Sequence, residues 1–160
     1  MLKVGDKVVY PMHGAGIIKK IETKEMGDET AEYVVIEFTG GLKLMVPEKN
    51  ATAVGLRGLS SEEDLKRVYE ILSESISSMP PNWNKRYREN MERIKSGDIC
   101  KVAEVVKNLM ILDAKKPLST GERKLLNSAR NTLISEMAMI SDREYSEVLK
   151  EVEGIVSGSK

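Results

Sequence analysis

The hydrophobic period of this chain changes once, near Gly58, and that change restricts the fold more than any other feature. Before it, apolar residues come in short β-rich runs separated by turn formers. Lys7-Val8-Val9-Tyr10-Pro11 is such a run, closed by proline and followed by His13-Gly14-Ala15-Gly16. Residues 17–23 read as a second strand, 25–28 as a turn, and 32–38 as the strongest strand of the chain. Gly40-Gly41 supplies the positive φ angles of a tight hairpin, from which residues 42–46 return to Pro47. A brief strand around 53–56 closes the set. Four or five short antiparallel strands within residues 1–58 predict a small, strongly bent sheet or barrel of the Tudor/SH3 kind.

From residue 59 to 160 the period is helical, giving an α+β chain with an all-α C-terminal domain of about five helices. Ser60-Ser61-Glu62-Glu63 reads as a capping box, followed by the stripe Leu65, Val68, Ile71, Leu72 and Ile76 and stopped by Met79-Pro80-Pro81. A second helix is predicted from Trp83 to Lys95, with Gly97 just past its end. Asp98 caps a third, in which Ile99, Val102, Ala103, Val106, Leu109 and Met110 share a face. Ser119-Thr120-Gly121-Glu122 and Ser141-Asp142-Arg143-Glu144 read as two further boxes, each opening an amphipathic helix. The tail Gly158-Ser159-Lys160 reads as frayed.

Chemistry that needs converging ligands or a base is poorly supplied. One His and one Cys, in different halves, do not make a zinc site. His13 beside Gly14 reads as a turn residue rather than a catalytic base. Gly14-Ala15-Gly16 leads into a strand, so no helix N-terminus awaits a phosphate there. Helix-face carboxylates such as Glu104 are expected to pair with neighbours such as Lys107. An aromatic cage on the sheet would need Tyr10, Tyr33 and Phe38, but Tyr33 and Phe38 fall on opposite faces of a regular strand. The expectation is a protein that is not an enzyme and needs no cofactor or metal. A single cysteine, no apolar run of membrane-spanning length and no signal-peptide stretch lead to the expectation of a cytoplasmic monomer.

Net charge is zero, yet charge is segregated. Residues 1–58 balance, 59–81 carry −3, 82–130 carry +6 and 131–160 carry −3. The only tryptophan, Trp83, opens the basic stretch, with Lys85, Arg86 and Arg88 in the next turns. A flat ring beside three cations suits nucleic acid, the cations holding phosphates while the ring stacks on a base. The residues alone leave two readings open: Trp83 as an exposed contact, or Trp83 packed into the helical core, with Tyr87 the better core candidate.

Residues 4–11, 13–16, Val46-Pro47, 82–87, 96–98 with 101–106, 118–124 and Ala129-Arg130, taken in order, resemble the CarD/CdnL family of bacterial transcription regulators along almost the whole chain. The resemblance implies that the Tudor-like domain, residues 1–58, docks on the RNA polymerase β subunit. It implies that the helical domain, residues 59–160, contacts promoter DNA at the upstream edge of the transcription bubble and stabilises the open complex. The family's wedge tryptophan matches Trp83, and its neighbouring basic residues match Lys85, Arg86 and Arg88. For polymerase contact the matching positions are Lys24 and Met45. The second of these is often arginine in the family, so Met45 implies a more apolar docking surface. An adaptor that binds only protein, with Trp83 structural, is the alternative, and the related polymerase-interacting domain of the transcription-repair coupling factor is a further relative.

Overall fold

The computed structural model describes residues 2–51 and 53–158; Ser159 and Lys160, read above as frayed, lie outside them. Among the described residues five strands form one antiparallel sheet: β1 (Lys7–Tyr10), β2 (Gly14–Met26), β3 (Glu29–Phe38), β4 (Lys43–Pro47) and β5 (Arg57–Gly58). Their spatial order is β4-β3-β2-β1-β5, so β4 and β5 are the edges. The ladder between β2 and β3 shifts register between Ile18 and Lys20, a bulge that bends the sheet. Val8, Ile18, Val34, Ile36, Phe38 and Val46 form the core of this half. Tyr33 lies off the face of Phe38, as the odd spacing between them requires.

The expected strand at 53–56 does not form. A short helix α1 (Glu48–Ala51) and a turn through Gly55, at φ +86°, occupy that stretch, and the closing strand comes later, at β5. Gly55 explains the shift, because its left-handed conformation interrupts any extended run.

Five helices follow: α2 (Glu62–Ser73), α3 (Trp83–Lys95), α4 (Ile99–Lys115), α5 (Thr120–Ser141) and α6 (Tyr145–Ser157). α4 and α5 supply most of the buried residues of the helical core, with α2, α3 and α6 packed around them. The helix ends differ from expectation in several places. The first box is one residue later, Ser61 with Asp64, because Asp64 rather than Glu63 reaches the cap backbone. α2 stops at Ser73 rather than at the prolines, and residues 74–82 form a connection without helix or strand. That segment is held at Ser77, whose N–H donates to Asn108 Oδ1 at 3.0 Å and whose hydroxyl accepts from Lys107 Nζ at 3.2 Å. Lys107 is therefore buried at 1% exposure, and Glu104 pairs instead with Arg93 at 3.3 Å. The expected third box is absent. Ser141 is still helical, Asp142 closes α5 in the left-handed conformation, and Glu144 makes no side-chain cap bond.

The two halves are packed together through the second half of α5. Gly14 lies so close to that helix that a Cβ would stand 2.8 Å from Ser135 Oγ. The Ala15 N–H donates to Ser135 Oγ at 2.8 Å, and Asn131 Nδ2 donates to the His13 carbonyl at 2.9 Å. Met12, held at φ +74°, reaches the helical core from the sheet. Arg57 on β5 makes a two-pronged ion pair with Glu136, at 2.6 and 2.8 Å, and the Ser60 N–H donates to the same carboxylate.

Candidate nucleic-acid interface

α3 begins where Asn82 takes an extended conformation and its Oδ1 accepts the Lys85 N–H at 3.0 Å. That cap fixes which residues form the first exposed turn. No acidic residue occupies it, whereas Lys85 and Arg86 do. Cations at the positive end of a helix dipole oppose helix formation by about 0.3–1 kcal/mol each. Lys85, exposed there, adds to the pull of the helix start on an anion, whereas Arg86 is turned inward.

Trp83 is 43% exposed, neither core nor free. Its ring stacks on Tyr87, centroids 5.5 Å apart and planes 22° from parallel, and its Nε1–H donates to Ser119 Oγ at 3.0 Å. Tyr87 packs against the helical core, so it carries the tryptophan outward. Around the ring, Lys115, Lys116, Pro117 and Leu118 of the α4–α5 connection line an open groove that Trp83, Arg86 and Ser119 complete.

The three cations of α3 are not equivalent. Lys85 and Arg88 are exposed, with no ion-pair partner among the described residues. Arg86 turns inward: its Nε and Nη2 donate to the two carboxylate oxygens of Glu122 at 2.8 and 2.7 Å. Glu122 is 2% exposed, and its hydrogen bonds push the Arg86 guanidinium pKa up. Arg86 thus joins α3 to α5 instead of presenting a free cation. Glu122, read from sequence as half of a capping box, is bonded to Arg86, while Ser119 still accepts the Glu122 N–H at 3.3 Å.

Sequence reasoning missed Ser119, Gly121 and Glu122 as neighbours of the tryptophan. The available signal was Gly121 itself, a glycine in a helical first turn where alanine is the better helix former. A Cβ at Gly121 would sit 3.3 Å from Trp83 Cζ2.

Lys24 and Met45 are brought onto one face of the sheet. Lys24 pairs with Ala31 and Met45 with Val35, and residues 31, 33 and 35 alternate to the outer side of β3. Lys24 Nζ stands 6.0 Å from the Tyr33 ring centroid, and Met45 is 42% exposed on the edge strand. Elsewhere, no group of three or more His, Cys, Asp or Glu among the described residues could hold a metal. Burial pushes the Cys100 thiol up, away from the reactive thiolate. Among the described residues no helix is long and apolar enough to cross a membrane.

The CarD-like/TRCF RID domain family matches residues 2–60, and the family of the CarD C-terminal domain matches residues 67–153. A protein of Bacillus subtilis (strain 168) named "Putative transcription factor YdeB" is 38% identical over 141 residues, 88% of this chain and 92% of that protein. A bent five-stranded sheet followed by a helical unit with an outward tryptophan, each half matched in order, places the chain in the CarD/CdnL family of transcription regulators.

Proposed function

We propose that this protein docks on the RNA polymerase β subunit through residues 1–58 and stabilises the promoter open complex through residues 59–160. Trp83 acts at the upstream edge of the melted DNA, with Lys85 and Arg88 on the adjoining phosphates. The docking face is the outer side of β2–β4, with Lys24 and Met45 on it. It works in the cytoplasm, at the nucleoid, as a monomer without cofactor, and its action is binding rather than catalysis.

The observation that carries this reading is the half-exposed indole braced on Tyr87 beside two unpaired cations at a helix start. An aromatic wedge at a duplex junction resists reclosure. Stacking on a base is worth about 1–3 kcal/mol, and about 1.4 kcal/mol is a tenfold change in rate. One residue can therefore slow bubble collapse by about an order of magnitude. Weak intrinsic DNA affinity suffices, since tethering to polymerase raises the effective concentration, and zero net charge is no obstacle.

Trp83→Ala is expected to shorten open-complex lifetime by about tenfold while polymerase binding is retained. The substitution should cost well under the roughly 3–5 kcal/mol of a core aromatic, because the ring is only partly buried. An unchanged lifetime at saturating protein would exclude the wedge. A large loss of thermal stability would favour the adaptor with a structural tryptophan.

A further inference from the structure

The start of α5 bears on Trp83 more closely than helix capping requires. Ser119 Oγ accepts two hydrogen bonds, from the Glu122 N–H at 3.3 Å and from the indole N–H at 3.0 Å. Gly121 is inside the helix with no positive φ, so its backbone makes no demand for glycine. Alanine at such a position would be favoured by helix propensity. What the absent side chain accommodates is the indole: an added Cβ would meet Trp83 Cζ2 at 3.3 Å, Trp83 Cη2 at 3.9 Å and Tyr87 Cε2 at 4.0 Å. At 3.3 Å the ring must give by a few tenths of an ångström. The contacts that hold the ring, its hydrogen bond to Ser119 Oγ and its stack on Tyr87, are the ones such a shift disturbs.

We propose that Gly121 and Ser119 are positioning residues for Trp83, fixing the indole in its DNA-ready pose before any DNA is present. This rests on the wedge reading above and deepens it. A ring already held by a hydrogen bond, a stack and a close backbone loses little rotamer freedom when a base stacks on it. The glycine is then a concession of helix propensity to the geometry of the ring, and removing it should improve the helix while harming the contact.

The test uses the full chain and exploits its single tryptophan, so that fluorescence excited at wavelengths too long for its five tyrosines reports this indole alone. Gly121→Ala, Gly121→Val and Ser119→Gly are compared with the parent and with Trp83→Ala. Glycine is chosen at 119 because it removes the hydroxyl yet remains a tolerated N-cap. Gly121→Ala should melt no lower than the parent, yet shift the emission and lower its anisotropy, and shorten open-complex lifetime by about threefold. Gly121→Val should shorten it by about tenfold, as Trp83→Ala does, and Ser119→Gly should shift emission in the same sense. Polymerase binding should be unchanged throughout. Should Gly121→Val fail to fold, Gly121→Ala and Ser119→Gly carry the decision. Unaltered emission and lifetime in folded variants would overturn the proposal while leaving the wedge standing. If Trp83→Ala itself leaves the lifetime unchanged, the wedge fails, and the emission alone decides whether these two residues set the indole.

Discussion

Arg86 gives its guanidinium to Glu122, and the energetics of that choice can be tested at the level of single atoms. Glu122 is almost fully buried, so its charge is tolerable only while both oxygens are bonded. Arg86→Ala leaves that carboxylate unpaired, and removing one partner of a buried pair costs about 3–5 kcal/mol. Arg86→Lys should recover only part of this, since an ammonium cannot reproduce the fork. Arg88→Ala, at an exposed and unpaired site, should stay within about 0.5 kcal/mol of the parent. Denaturant titration of the three variants checks the order. If Arg86→Ala and Arg88→Ala prove equally mild, the Arg86–Glu122 pair does not hold α3 to α5. The sequence shows three cations after Trp83 but not which one turns inward. Arg86 and Glu122 are 36 residues apart, and only the packing of α3 against α5 brings them together.

Among the elements, α6 offers a pH-dependent contact. The Tyr69 hydroxyl on α2 donates to Glu151 Oε1 at 2.6 Å, and Arg143 donates to the same carboxylate at 3.0 Å. The Tyr69 hydrogen bond, then Arg143, holds the Glu151 carboxyl below its ordinary value of 4.5. A depressed folded pKa stabilises the fold above the unfolded pKa, and that support is lost as pH falls through the folded value. Melting temperatures from about pH 7 to about pH 3 should fall more steeply in the parent than in Glu151→Gln, which has no such carboxylate to protonate. Parallel curves would show that the contact contributes nothing. The helices themselves were legible, because apolar stripes and caps are local: α3 spans the expected Trp83–Lys95, and Asp98 caps α4. The misreadings came where local signals competed. Ser60 and Ser61 offer two frames for one box, Pro80-Pro81 looks like a helix stop although the chain had already left the helix at Ser73, and Ser141-Asp142 serves the end of α5 rather than the start of α6.

At the scale of the molecule, α5 is the element both halves share. Its first turn touches Trp83 and Arg86, and its residues 131, 135 and 136 bind the sheet. Arg57→Ala would leave Glu136, which is fully buried, with only the Ser60 N–H, a loss of about 3–5 kcal/mol that should also loosen one half from the other. Small-angle scattering should show a larger radius of gyration in that variant; an unchanged radius would place the coupling in the Met12–Gly14 contacts instead. None of this joint was legible beforehand, because a buried Glu136 and a close-packed Gly14 look like an ordinary helix-face acid and an ordinary turn glycine. The joint has a consequence on the DNA side of the proposed role. From Gly121 to Ser135 the helix rises about 21 Å, the length of about six base pairs at roughly 3.4 Å each. In that role, with the sheet fastened to polymerase, the indole would reach only one step of the duplex, set by a helical ruler. Promoters would then be distinguished by where their strands separate along that ruler, not by which bases stand there.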